Sequence, residues 1–329
     1  MGIHPRHWRT PVAAALTSAL LTPVPPATAA AASTGQGTQG SALAAPCTAA
    51  KDPTLAKDLS RDLKAALAHR SGTVSVSLHD DRTGLTCDLS GQRRYDAASV
   101  AKVLILETAL RRAESWRRKL TGWEQRNARP MIMRSDNGAA WRLWTDLGHT
   151  TLSRFLRRVG TTATTLGYDG YWGLTRTTAA DQLRLLGVLT GARDVLRASS
   201  RAYGLNLLSQ VRRDQRWGVP AGMPRGITAH LKNGWLPRAT HGWRVHSVGA
   251  FTGGGRTYRL AVLSHDNPTM AYGVRTIERI AQAVHRALNK GRAAGQGLTP
   301  QSEISEISDG SVPGAIPDTS SPLDNNPEP

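Results

Sequence analysis

A serine hydroxyl becomes a nucleophile only when a neighbouring group takes its proton. One spacing in this chain offers such a neighbour: Ser99 and Lys102, inside the stretch YDAASVAKVLILETAL at residues 95–110. If a helix starts near Ser99, Lys102 lies one turn on and the two side chains share a face. Burial and nearby positive charge lower a lysine pKa toward working pH, and the positive end of a helix favours a developing alkoxide. Lysine is scarce here, seven against 35 arginines, and Ser99 is the only serine followed three residues later by one. The competing reading is a helix-capping serine with a lysine snorkelling from the next turn, since so short a pattern recurs by chance in many chains.

Two further groupings could act with this pair. Ser135, Asp136 and Asn137 form the only Ser-x-Asn in the chain and fall where a loop enters a helix. All three residue types make good caps; in the functional reading the Ser135 hydroxyl relays a proton and the Asn137 amide holds a substrate amide. Lys232, Asn233 and Gly234 form the only Lys-x-Gly, on a predicted strand. Glycine inside a strand marks close approach of a backbone or ligand, and a lysine beside it suits an anion such as a carboxylate. An edge lysine beside a bulge glycine is the alternative.

The elements that must carry these groups can be read from periodicity. LAKDLSRDLKAALAHR has helical spacing, TVSVSLHD alternates as a half-buried strand, and GLTCDLS follows after the turn DDRTG. Residues 99 to about 225 read as mostly helical. GITAHLKNGWL, WRVHSVGAFT and TYRLAVLSHD then read as strands, before the helical run YGVRTIERIAQAVHRALNK. This order predicts an α+β fold: a five-stranded antiparallel sheet assembled from both ends of the domain, flanked by helices, with a separate all-helical lobe. A cleft between lobe and sheet is a favoured ligand site.

Composition bounds the rest. The 329 residues are 40% hydrophobic, enough for a core, and carry a formal net charge of +18. Such charge attracts wall polyanions, membrane surfaces or nucleic acid alike. Nucleic acid is not expected, because basic and aromatic residues are not interleaved in RRAESWRRK or SRFLRRVG. Residues 1–32 read as a cleaved secretory signal and 33–50 as a flexible lead; 51–292 form the folded domain and 293–329 a disordered acidic tail. No segment is long and apolar enough to stay in a membrane after cleavage, and Pro46 before Cys47 argues against a lipid anchor. Two cysteines in an exported chain pair by default, so Cys47 and Cys87 are expected to form a disulfide. Trp141 and Trp144 read as core, while Trp116 and Tyr171 are weaker candidates for a cleft mouth. There is no H-E-x-x-H metal motif and no G-x-S-x-G elbow.

Ser-x-x-Lys, Ser-Asp-Asn and Lys-x-Gly, in that order on a helix start, a helical-block loop and a late strand, resemble the signatures of the serine β-lactamase and penicillin-binding family, closest to class A. The resemblance spans about residues 52–290 and includes the flanks AASVAKVLILETAL and MIMRSDNGAAWRLW. It implies an acyl-enzyme on Ser99, Lys102 as base or relay, Ser135 as proton shuttle and Asn137 on the acyl amide. Lys232, Asn233 and Gly234 would serve the substrate carboxylate, and the backbone N–H groups of Ser99 and Trp235 the oxyanion. It also implies no metal or organic cofactor, a small-molecule or cell-wall peptide substrate and a monomer. The function it implies first is β-lactam hydrolysis; the alternatives are a D-alanyl-D-alanine peptidase, another amidase or esterase, or a penicillin-binding sensor. Two departures stand out. Asn233 replaces the family's threonine, and the stretch TTLGYDGYWGLTRTTAADQL lacks the glutamate that activates deacylating water. Asp169 is the acidic candidate left in that loop, so slow deacylation is expected.

Overall fold

The computed structural model describes residues 45–168 and 170–291. The expected signal segment, most of the lead, Asp169 and the acidic tail lie outside the described residues. The five expected strands form as β2 (Thr73–Asp80), β3 (Thr86–Leu89), β6 (Thr228–Pro237), β7 (Trp243–Gly253) and β8 (Arg256–Asn267). The sheet has six strands rather than five, because β1 (Cys47–Thr48) adds to it outside β3. Its order is β1-β3-β2-β8-β7-β6, antiparallel throughout. Two residues carry no readable alternation. Their place is set by register, with Cys47 opposite Cys87 and the two joined by a disulfide, so part of the expected flexible lead is sheet.

Each face of this sheet is covered by helices. On one side lie α1 (Pro53–Leu67) and α7 (Met270–Leu288). Asp52 starts α1 by accepting from Leu55 N at 2.9 Å, ahead of Pro53, whose missing N–H costs nothing in a first turn. Thr269 starts α7 by accepting from Tyr272 N at 3.1 Å. Leu59 and Leu63 of α1 and Ile277, Ile280 and Val284 of α7 share one core with Val76, Leu78, Val245, Leu260 and Val262 of the sheet. On the other side lie α2 (Ala101–Ser115), α3 (Gly122–Met133), α4 (Asn137–Val159), α5 (Ala179–Thr190) and α6 (Ala198–Ser209). Their core takes in Val248, Ala250, Ala261 and Leu263, the alternate residues of β7 and β8. Both faces of β7 and β8 are buried, so these strands enclose polar side chains as well, Arg244, His246 and Ser247 of β7 and Arg259 and Ser264 of β8.

A second, two-stranded sheet frames the nucleophile and was not legible in the sequence. β4 (Arg94–Asp96) pairs with β5 (Arg176–Thr178), and Ala97 N continues the ladder to Thr175 O at 2.8 Å. Three-residue strands are too short to show a period. Thr165 and Arg176 exchange backbone hydrogen bonds of 2.8 Å each, closing the neck of the loop between them.

Candidate active site

Ser99 sits in a 3₁₀ turn, Ala98–Val100, that leads directly into α2. Ala98 holds φ at +44°, a left-handed conformation costing about 1–2 kcal/mol in a residue with a Cβ. Its neighbours impose it: β4 enters the turn from one side and α2 leaves it on the other. Lys102 follows one turn on, and its Nζ lies 2.6 Å from Ser99 Oγ. Both residues are fully buried, where charge interactions are stronger than in water.

The Ser-Asp-Asn stretch divides its work. Asp136 is the cap of α4, accepting from Ala139 N at 2.7 Å, which leaves its two neighbours for the site. Ser135 is itself left-handed, with φ +57°. Lys102 Nζ lies 2.7 Å from Ser135 O, 2.9 Å from Ser135 Oγ and 2.7 Å from Asn137 Oδ1. With Ser99 Oγ that makes four oxygens around a group that has three protons when charged. A neutral amine, with two N–H groups and one lone pair, likewise fills three of the four contacts, accepting from Ser99 and donating to two others. Ser135 Oγ donates to Ser99 Oγ at 2.9 Å and receives Lys232 Nζ, also at 2.9 Å. One hydroxyl thus joins both lysines and the nucleophile.

Lys232 and Gly234 lie two residues apart on β6, so both face the nucleophile turn. Lys232 is fully buried and also donates to Asn233 O at 2.8 Å. The glycine is not part of a bulge, because β6 and β7 stay in register through it. A Cβ at 234 would fall 2.7 Å from Ser99 N and 2.9 Å from Val100 N, so strand and turn meet backbone to backbone. That contact brings Ser99 N–H close to the strand bearing Trp235. Asn233 turns its amide hydrogens away from Lys232, to Gln215 O at 2.8 Å and Trp217 O at 3.0 Å. Its Oδ1 is buried and without a hydrogen bond.

Residues 125–288 match the profile of the Beta-lactamase enzyme family. The match covers just under half of the chain and takes in Ser135–Asn137 and Lys232–Gly234 but not Ser99 or Lys102; the chain resembles the serine β-lactamase and penicillin-binding family. LppW of Mycobacterium tuberculosis, a lipoprotein by name, is 28% identical over 232 residues, covering 68% of this chain and 72% of its own. A variant of the last common ancestor of Gram-negative bacteria class A β-lactamase superposes with a TM-score of 0.61 at 22% identity, covering 72% of this chain and all of its own. The structure of PBP-A gives 0.62 at 19% identity, covering 70% and 96%. The β-lactamase from Sphaerobacter thermophilus gives 0.60 at 20%, covering 70% and 97%. At these identities the solved structures establish a shared fold, that of the class A β-lactamases and PBP-A.

In class A enzymes the loop between the second and third motifs carries the deacylating glutamate. Here the loop sets the ring of Trp172 over Lys102, with Nζ 4.7 Å from its centroid. Trp172 is almost fully buried, and sequence reasoning missed it for want of any local signal. An indole face attracts a cation but takes no proton from water. Asp169, the acidic candidate of the loop, lies outside the described residues. Tyr171 packs on Ala98, Leu174 and Leu236 beside the nucleophile turn. Trp116 is exposed and flanked by the guanidinium groups of Arg112 and Arg118. Trp144 is core as expected, but Trp141 is 48% exposed and lies against Gly170. Residues i and i+3 are offset by about 60° around a helix, enough to put one of them past the edge of the apolar face.

The strand entering the nucleophile turn is held by residues the motifs do not include. Asp96 receives Arg244 Nε at 3.0 Å and faces Arg176 and Arg238 at 3.6 Å each. His246 Nε2 donates to Asp96 O at 2.8 Å, while its Nδ1 accepts from Ser264 N at 3.2 Å. Burial lowers the His246 pKa to about 4, so the ring is neutral with its proton on Nε2.

Proposed function

We propose that the protein is an exported serine hydrolase that forms an acyl-enzyme on Ser99, with the cyclic amide of β-lactams as its first substrate class. The observation that carries this reading is the shared shell of Lys102 Nζ, Ser99 Oγ and Ser135 Oγ, three polar groups within 2.9 Å of one another. Lys102, as the free amine, takes the Ser99 proton while Oγ attacks the carbonyl carbon. The Ser99 and Trp235 N–H groups receive the oxyanion, each worth about 3 kcal/mol to the transition state. As the carbon–nitrogen bond breaks, Ser135 gives its proton to the leaving nitrogen and is resupplied by Lys102. Lys232, close to Ser135, attracts the substrate carboxylate, and Asn137, whose Oδ1 accepts from Lys102, donates its amide N–H to the acyl amide carbonyl. The Cys47–Cys87 disulfide fits an oxidising compartment outside the cytoplasm.

A second reading, a penicillin-binding protein with slow release, is favoured by Trp172 standing over Lys102 and by the lack of any glutamate between Glu124 and Glu278. Intact-mass measurement after incubation with a penicillin, beside Ser99→Ala, separates the two. Hydrolysed drug without a lasting adduct supports the lactamase, and a persistent adduct on the native chain alone supports slow release. Neither product, or an adduct that survives Ser99→Ala, rejects acylation of Ser99 by β-lactams. Released D-alanine from a stem peptide would point to the peptidase instead.

A further inference from the structure

A group of side chains distinct from the three motifs lies where the β6–β7 turn meets the end of β8. His241 is in that turn, and His265 and Asp266 are on β8. Their nitrogens and carboxylate oxygen all lie within 4.8 Å of one another. His241 Nδ1 is 3.0 Å from Asp266 Oδ1, and the two imidazole rings are 4.4 Å apart.

The decisive contact is between His265 Nδ1 and Asp266 Oδ2, 2.6 Å apart. Although so close, Nδ1 is buried and without a hydrogen bond. With the ring proton on Nε2, the Nδ1 lone pair would face a carboxylate oxygen at that distance, and a cation set between them would turn the repulsion into coordination.

The backbone is shaped around this cluster. His241 and Asp266 both adopt left-handed conformations, with φ of +61° and +59°, and Asp266 N donates to His241 O at 2.7 Å. Strain of this kind persists only where surrounding structure enforces it. Thr73 Oγ1 donates to Asp266 Oδ2 at 2.8 Å, and Tyr95 packs on the His265 ring at 4.9 Å, so carboxylate and ring are both oriented by outer partners, as metal ligands are.

We infer that His241, His265 and Asp266 form a binding site for a divalent transition-metal ion of the zinc type, with one coordination position open. Two imidazoles and a carboxylate suit such an ion at bonds of about 2.0–2.2 Å, and not calcium or magnesium, which select oxygen. Tetrahedral ligand edges at those bond lengths are about 3.3 Å, so the short contacts need to open by less than 1 Å and the widest separation, up to 4.8 Å, to close by about 1.5 Å. His241 is exposed and can turn to do so. The ion would fasten the β6–β7 turn to β8 at the end of the strand that carries Lys232, Gly234 and Trp235. It takes no part in the acyl transfer. The ligands come from positions 24 and 25 residues apart (241 to 265 and 266), which is why no local metal motif marks them.

The test is a Zn2+ titration of the untagged full chain, freed of metal with a chelator and followed by competition with a chromophoric chelator. His241→Ala and Asp266→Asn are titrated in parallel; asparagine tolerates the left-handed backbone at 266, so that variant keeps the turn. The inference requires one micromolar or tighter equivalent in the native chain, weakened at least about tenfold in both variants and untouched by His149→Ala. It also requires that Zn2+ raise the melting temperature of the native chain and not of His241→Ala. A native chain without such an equivalent, or one whose equivalent persists in both variants, overturns it.

Discussion

Replacing Gly234 with alanine tests the geometry of the site most directly. The added Cβ would lie 2.7 Å from Ser99 N, 2.9 Å from Val100 N and 3.2 Å from Ala97 O, all backbone atoms with no flexible end to swing aside. Ordinary contact begins near 3.4 Å, so strand and turn must part by about 0.7 Å. The turn resists, because Ala97 N is bonded to Thr175 O at 2.8 Å and His246 holds Asp96 O at 2.8 Å. Overpacking of this size costs about 1–3 kcal/mol, a drop in melting temperature of several degrees for a domain of this length. Moving the nucleophile by a comparable distance relative to its oxyanion donors costs about 10²-fold in rate. The assays are thermal unfolding and the rate of penicillin adduct formation by intact mass. Gly122→Ala is the control, since its Cβ meets only the end of the Arg126 side chain at 3.1 Å. Acylation of Gly234→Ala at the native rate with an unchanged melting temperature would refute the close packing of strand on turn.

Ser135→Ala removes the hydroxyl that joins both lysines to Ser99 and should slow acylation about 10²- to 10⁴-fold, read by the same mass assay; a loss under threefold would show that no proton passes through it. Replacing Cys47 and Cys87 by serine opens a loop with a sequence separation of 40 and should cost about 4 kcal/mol in urea unfolding, with β1 released from the sheet edge. Burial raises the Glu278 pKa to about 7, so its contribution to stability is full below the ordinary carboxylate range and is lost as pH rises toward 7. Glu278→Gln should therefore be more stable than the native chain at pH 8, by about 2 kcal/mol once solvent screening trims the full shift, and the gain should vanish near pH 4; an equal difference at both pH values would exclude this titration.

What the sequence determined by itself is whatever repeats or punctuates locally. The alternation of TVSVSLHD, the helical spacing of YGVRTIERIAQAVHRALNK and the uniqueness of Ser-x-x-Lys, Ser-x-Asn and Lys-x-Gly each lie within about twenty residues, so strands, flanking helices and the three motifs could be named before any coordinates. The single glycine at 234 announced a close approach but not what approached it. Tertiary structure decided the rest: that Asp136 and not Ser135 caps α4, that Asn233 turns its amide to residues 215 and 217, and that Trp172 covers Lys102. It also placed Arg244 on Asp96 and brought His241 to Asp266. Each of these contacts joins side chains through space, at separations set by how β4, β6, β7 and β8 pack rather than by any period along the chain. Even the left-handed backbone at Ala98 and Ser135 is invisible in residues that ordinarily avoid it, because the surrounding contacts impose the conformation and the local sequence does not.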